Sequence, residues 1–195
     1  MGMAISNPYD GERVPGSIGY PLEGMKVRLV GEDGKQVKQG ATGEIQVQGP
    51  NVFKEYWGKT DATKEAFDSG WFKTGDMAVE QDGRYRIRGR NSVDIIKSGG
   101  HKISALEIEE IIRKSSIVKD CAVVGIPDEE WGEIVGAGIV LNEGEVTLPE
   151  NFEPWLKEQL PNFQWPRKYL LLEDLPRNVM GKVTKKELQK QFQKV

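Results

Sequence analysis

The sequence predicts an α+β protein: a small β-rich piece followed by a compact α+β domain. Three observations carry this. Glycine is concentrated early, with 17 of the 23 glycines in residues 1–100 and 6 in residues 101–195, which marks short strands and tight turns in the first half and longer elements in the second. Period-two alternation appears in the first half, where Ile45 and Val47 interleave with Glu44, Gln46 and Gln48, and Tyr85 and Ile87 interleave with three arginines. Such a pattern suits strands buried on one side. The second half holds three Ser/Thr-x-x-Glu capping boxes, Ser104…Glu107, Thr147…Glu150 and Thr184…Glu187; in such a box two side chains satisfy the free backbone N–H groups of a helix start.

Taken in order, the first strand candidates are Lys26–Val30, Glu44–Gln48 and Arg84–Arg88, with Asp-Gly turns at Glu32-Asp33-Gly34-Lys35 and Gln81-Asp82-Gly83-Arg84. Asp61–Asp68 reads as a short helix capped by Asp61. Val93–Lys97 and His101–Ser104 read as a hairpin around Ser98-Gly99-Gly100. Leu106, Ile108, Ile111 and Ile112 then form the apolar face of a helix. Strands follow at Ala122–Ile126 and Ile134–Leu141. A second helix carries Phe152, Trp155, Leu156 and Leu160 and is ended by Pro161. A strand at Lys168–Leu172 precedes a last helix with Leu188 and Phe192 at i, i+4 spacing. The order hairpin, helix, strand, strand, helix, strand, helix describes an α+β domain of about 100 residues. The expected border lies near Gly89-Arg90-Asn91-Ser92, giving residues 1–90 and 91–195, with no internal repeat and no low-complexity linker.

Composition excludes several functions. Hydrophobic residues make up 37% and charged residues 29% of the 195, which describes a folded chain rather than a disordered one. The net charge of −3 lacks the basic excess of a nucleic-acid binder. No apolar run approaches the roughly 18 residues of a membrane span, and Met1 to Asp10 shows no basic-then-apolar targeting pattern. Cys121 is the one cysteine, so no internal disulfide forms; its setting in Cys121-Ala122-Val123-Val124 reads as core. His101 is the one histidine, which rules out a multi-histidine metal site and reads as a turn or surface residue.

Four stretches hold residues suited to chemistry, and each has a plainer reading. In Gly70-Trp71-Phe72-Lys73-Thr74-Gly75-Asp76, the aspartate suits a vicinal diol such as a ribose, or it caps a turn. Arg90 follows Gly89 at the expected domain border, where small-molecule sites form, though arginines on strands are usually solvated. In Lys97-Ser98-Gly99-Gly100-His101-Lys102, paired glycines permit close approach of a ligand and lysines can meet phosphates, or this is a hairpin turn with solvated lysines. In Pro176 through Lys186, Lys182 stands just before the last helix as a mobile cation suited to a developing phosphoryl charge, or as part of a basic loop. Neither a Gly-x-x-x-x-Gly-Lys-Ser/Thr loop nor a Gly-x-Gly-x-x-Gly fingerprint occurs.

Together and in this order, these stretches resemble the adenylate-forming superfamily of acyl-CoA synthetases, peptide-synthetase adenylation domains and luciferases. The resemblance rests on Gly43-Glu44-Ile45 through Gly49-Pro50, Tyr56-Trp57, Gly70 through Asp76, Gly89-Arg90, Asp94 through Gly100, Glu107-Ile108-Glu109, Val124 through Asp128, Trp131-Gly132-Glu133 and Pro176 through Lys182. The wording of Asn51 through Trp57 and Arg90 through Gly100 looks most like the malonyl-CoA synthetases of the mitochondrial type. The resemblance implies an ATP-dependent acid–CoA ligase in lipid and fatty acid metabolism, with ATP, Mg2+, CoA and a small carboxylic acid as ligands and the mitochondrial matrix as location, or the cytoplasm outside that subgroup. It implies a C-terminal β-rich segment of the large domain in 1–90 and a mobile lid in 91–195. Carried over by residue, Asp76 holds the ribose hydroxyls of ATP, Arg90 the ribose and phosphate region, and Lys182 bridges the substrate carboxylate and the α-phosphate. Lys97, Gly99 and Gly100 line the pantetheine path of the thioester step.

The stretch from Arg90 to Gly100 is one residue longer than in many relatives, which puts the hinge at Ser92 or Val93 rather than at the usual Asp or Lys. The family's phosphate loop, adenine pocket and acyl pocket are expected upstream of this chain. That expectation makes the isolated chain inactive, associating with the upstream half; the alternative is a truncated binding or regulatory module docking on a ligase or acyl carrier.

Overall fold

The computed structural model describes residues 2–194. The chain divides into two compact units, Met1–Asn91 and Ser92–Val195.

In the first unit, β1 (Ile5–Ser6) and β2 (Tyr20–Pro21) make a short antiparallel pair. β3 (Lys26–Val30), β4 (Gly43–Gln48), β5 (Phe67–Asp68), β6 (Trp71–Gln81) and β7 (Arg84–Arg90) form one antiparallel sheet. In it β6 pairs with β4, β5 and β7. The hairpin between β6 and β7 turns on Asp82 and Gly83, both at positive φ (52° and 76°), the left-handed pair that a two-residue Asp-Gly turn requires. Leu29, Ile45, Val47, Phe72, Ala78 and Tyr85 are buried in this unit's core, where Phe53, Phe67 and Phe72 pack edge-on and tilted, with centroids 5.0–5.5 Å apart. The alternation expected of β4 holds for Ile45 and Val47 but not for Gln46, which is also buried because its Oε1 accepts two bonds from the Arg28 guanidinium (2.9 and 2.6 Å). The short helix α1 (Thr60–Ala66) is capped at Lys59, not Asp61; Asp61 lies within its first turn, and Thr63 Oγ1 donates to the Lys59 carbonyl (2.9 Å).

The second unit follows the expected order: β8 (Ile95–Ser98), β9 (His101–Ser104), α2 (Ala105–Ile112), β10 (Val118–Asp128), β11 (Gly132–Leu141), α3 (Phe152–Gln159), β12 (Lys168–Leu171) and α4 (Lys185–Phe192). Its sheet runs β10-β11-β8-β9, with β12 parallel to β11. Helices cover both faces, which explains why Cys121 through Ile126 reads as a continuous apolar run rather than an alternating one. Cys121 and Val123 are buried in one core with Ile108 and Ile112 of α2 and Phe152 and Leu156 of α3. Ala122, Val124 and Ile126 are buried in another with Leu188 and Phe192 of α4. Gly136 and Gly138 on β11 admit this helix closely, since a Cβ on Gly138 would lie 2.9 Å from Leu188 Cδ1 and one on Gly136 would strike Ile126 and Phe192.

Ser104 caps α2 as expected: its Oγ accepts from the Glu107 N–H (3.3 Å). The second box does not form, because α3 starts at Phe152 behind Asn151, four residues past the expected cap Thr147. At the third, Thr184 is the cap position, but its carbonyl rather than its side chain receives the Glu187 N–H (2.9 Å). The hairpin strand expected at Val93 begins at Ile95, since Asn91–Asp94 is a turn.

Candidate active site

The first unit presents Asp76 and Arg90 side by side. They are cross-strand partners on β6 and β7, and Arg90 Nε lies 2.9 Å from Asp76 Oδ1. Local chemistry sets Asp76. Gly75 (φ 76°) donates its N–H to Glu44 Oε1 (3.1 Å), Thr74 Oγ1 donates to the Ile45 carbonyl (2.8 Å), and the Asp76 N–H bonds to Thr74 Oγ1 (3.1 Å). The register slips between Met77 and Ala78 where β6 meets β7, and such a bulge re-aims side chains at the end of a pairing. An open hollow of about 580 Å³ lies over the pair, flanked by Tyr56, Trp57, Phe72 and Lys73. A carboxylate beside a guanidinium, in a hollow with aromatic walls, suits a sugar hydroxyl pair next to an anionic group.

In the second unit, Lys97, Gly99 and Gly100 share the β8–β9 hairpin. Gly99 and Gly100 take positive φ (53° and 79°). A Cβ on Gly99 would lie 2.8 Å from Trp131 Cε3, whereas one on Gly100 would meet nothing within 4 Å. The Gly99 N–H donates to the Trp131 carbonyl (3.0 Å), and the Lys97 N–H to Glu133 Oε2 (2.7 Å), so the start of β11 braces this turn. Next to Gly99 is a cavity of about 330 Å³ lined by His101, Trp131, Phe163 and Arg167. His101 is exposed as expected, stacked on Phe163 (centroids 4.5 Å apart, 11° between planes), and Arg167 lies over the Trp131 ring at 5.4 Å. Phe163 and Arg167 were not singled out from the sequence; the aromatic residues between Pro161 and Pro166 were the available signal.

Lys182 lies on the loop before α4. Asn178 organises this loop. Its Oδ1 accepts from the N–H groups of Met180 and Lys182 (3.0 Å each), its backbone N–H donates to the Lys182 carbonyl (2.9 Å), and its carbonyl accepts from Gly181 (2.9 Å). Val179 and Met180 at the tip are fully or largely exposed. The Lys182 backbone is thus fixed while its side chain reaches solvent, a fixed root for a mobile cation. Ser92 and Val93, the expected hinge, are exposed in the turn at which the second unit begins. Among the described residues, no group of three or more His, Cys, Asp or Glu is arranged to hold a metal ion, and no helix is long and apolar enough to cross a membrane. Cys121 is buried, and burial pushes its thiol up to about 12, which removes it as a nucleophile.

The chain matches the family model for the AMP-binding enzyme C-terminal domain over residues 107–182 and the AMP-binding enzyme model over residues 1–57. It is 47% identical over 212 residues to the mitochondrial malonate–CoA ligase ACSF3 of Mus musculus, covering 98% of this chain and 36% of that protein. The chain belongs to the adenylate-forming, AMP-binding enzyme family, and corresponds to its C-terminal portion. Another of these AMP-binding enzymes, the malonate–CoA ligase of Arabidopsis thaliana, is 42% identical over 98% of this chain and 33% of its own. Among solved structures, ATP-bound MatB from Rhodopseudomonas palustris superposes with a TM-score of 0.87 at 38% identity, over 96% of this chain and 38% of that one. The chain spans about a third of the length of the curated AMP-binding enzymes it matches.

Proposed function

We propose that this chain is the part of an ATP-dependent acid–CoA ligase that contacts the ribose of ATP and supplies the lid of the active site, in an enzyme that makes malonyl-CoA or the thioester of a related short acid. The observation that carries the reading is the sustained identity with malonate–CoA ligases over 98% of the chain, which spans the elements holding Asp76, Arg90, Gly99 and Lys182. The relatives' names favour a ligase over a non-catalytic module.

In the first half-reaction the acid carboxylate attacks the α-phosphorus of ATP and pyrophosphate leaves. Asp76 receives the ribose hydroxyls, and Arg90, held in line by that carboxylate, faces the ribose and phosphates. Lys182 places its ammonium between the acid's carboxylate and the α-phosphate, where negative charge grows in the transition state; its role is electrostatic. Mg2+ would be held by the phosphates of the nucleotide, where it would offset their negative charge. In the second half-reaction the lid turns about Ser92 or Val93 and the CoA thiol displaces AMP from the acyl-adenylate. Gly99 and Gly100 then border the pantetheine arm, with Lys97 facing the site. Residues 1–90 belong to the large domain and 91–195 are the lid, and the mitochondrial matrix is the proposed location, by likeness to ACSF3.

The reading is tested by acid-dependent ATP–pyrophosphate exchange. The isolated chain shows none. The same chain within a ligase of the relatives' full length shows exchange with malonate and forms malonyl-CoA; turnover by the isolated chain, or a complete ligase indifferent to malonate and its short homologues, contradicts it.

A further inference from the structure

Six side chains of alternating charge run through the second unit in one chain of contacts. Lys185 Nζ lies 2.6 Å from Asp94 Oδ1 and 2.7 Å from Glu109 Oε1. Glu109 Oε2 lies 3.4 Å from Arg113 Nη2, and Arg113 Nε lies 3.6 Å from Asp120 Oδ1. Asp120 Oδ2 receives Arg177 Nη2 at 2.6 Å, and Arg177 Nη1 donates to the Gly181 carbonyl at 2.8 Å. The two ends are informative. Asp94 is two residues past Ser92, where this unit begins; Gly181 is the residue before Lys182.

The chain is built rather than incidental. Its inner half is buried, with the Glu109 side chain 5%, Lys185 10% and Asp94 15% exposed, while Arg113, Asp120 and Arg177 are 45%, 27% and 37% exposed. Its members are also tied to the sheet: Glu109 Oε1 accepts from the Val123 N–H (2.9 Å), Arg113 Nη2 donates to the Cys121 carbonyl (2.9 Å), and Asp120 Oδ1 accepts from the Cys121 N–H (2.8 Å). Charges buried in this way hold their geometry because separating them leaves an unpaired charge in a poorly solvated place. The outer end uses that rigidity. One arm of the Arg177 guanidinium is anchored on Asp120 near the start of β10 while the other holds the carbonyl of Gly181. Arg177 and Val183 also pair as a β-bridge across the loop, and the planar fork of arginine fixes both directions at once, which lysine does not.

We propose that Arg177, oriented by Asp120, is a positioning residue that sets the backbone from which Lys182 reaches, and that the six-member chain makes the Lys182 loop and the segment after Ser92 parts of one rigid body. The inference rests on the reading of Lys182 given above, but its first test does not. Amide hydrogen exchange on the 195-residue chain compares the natural protein with Arg177→Gln, Arg177→Lys and Asp120→Asn. Protection of the Gly181 and Lys182 N–H groups falls about tenfold in Arg177→Gln and in Asp120→Asn, as for loss of one charge-assisted bond. The Ile126 and Ile139 N–H groups in the sheet keep theirs. Arg177→Lys falls between, because it keeps the charge and loses the fork. The second readout uses the complete ligase. Arg177→Gln lowers kcat for acid-dependent pyrophosphate exchange about 10- to 100-fold, as for a displaced catalytic group, with KM for ATP little changed and thioester formation from supplied acyl-adenylate unchanged. Unaltered protection at Gly181 and Lys182 overturns the proposal. So does equal loss of protection in the sheet, or a loosened loop with an unchanged exchange rate. If Lys182→Ala fails to slow adenylation while the exchange pattern appears as stated, it is the reading of Lys182 that falls and not the tie between Arg177 and its loop.

Discussion

Arg90 and Asp76 face each other across the last residues of β7 and the middle of β6, with Nε 2.9 Å from Oδ1. The arginine is 60% exposed and the aspartate 31%, so solvent reaches both and the pair adds little to folding. What it supplies is direction, since each group fixes the other beside an open hollow.

Asp76→Ala in the complete ligase therefore affects ATP use more than stability. Loss of a charged acceptor for the ribose hydroxyls is worth about 1.5–3 kcal/mol, or about 10- to 100-fold in kcat/KM for ATP. With 2′-deoxy-ATP the gap between the natural enzyme and the variant shrinks, because one of the two bonds is already gone. Steady-state kinetics with both nucleotides measures this; an equal gap for both places the ribose elsewhere.

Gly99 and Gly100 separate steric from conformational effects. Both have positive φ, so alanine at either costs about 1–2 kcal/mol in a left-handed conformation. Only at Gly99 does the new Cβ also meet the Trp131 ring, at 2.8 Å. Urea unfolding of the isolated chain shows Gly99→Ala the less stable of the two variants. In the complete ligase both slow thioester formation more than adenylation.

The pair Lys185–Glu109 is a stability element. Glu109→Gln leaves Lys185 buried and facing Asp94, and weakens the hold on Arg113. Breaking a buried pair by removing one charge costs about 3–5 kcal/mol. Lys185→Met alone is destabilising too, and the double variant Lys185→Met/Glu109→Gln loses less than the sum of the two. Denaturant titrations of the four proteins measure the coupling; additivity to within about 0.5 kcal/mol denies it.

Stability also falls at high pH through Cys121. Burial raises the folded thiol from 9.0 to about 12, so between those values the unfolded chain has lost a proton that the folded chain keeps. Folding then binds a proton, and stability declines as pH rises from 9 towards 12. Tyr169, raised from 10.0 to about 12 by burial, adds in the same direction. Unfolding free energies at pH 8 and pH 11 decrease more in the natural chain than in Cys121→Ala; parallel decreases assign the effect to other groups.

Much of this was legible in the residues because local chemistry and packing agreed. Ser104 and Glu107 mark the start of α2 since the hydroxyl is the acceptor nearest the free N–H groups. Asp82-Gly83 marks its hairpin since both residues tolerate positive φ. Thr147 misled because the chain from Leu148 to Asn151 stays non-helical before α3, and Gln46 misled because its partner, Arg28, lies on the neighbouring strand. At the site, Asp76, Arg90 and Lys182 stood out through ordered motifs. Asp120 and Arg177 did not, because 57 residues separate them and only the fold brings their charges together.

The central claim is that Lys182 acts in adenylation. The direct measurement is Lys182→Ala in the complete ligase, with the two half-reactions assayed separately. Acid-dependent pyrophosphate exchange falls by about 100-fold or more, as for loss of a charge placed at a transition state, while CoA thioester formation from supplied acyl-adenylate proceeds at the natural rate. Equal loss of both half-reactions, or loss of the second alone, contradicts the account.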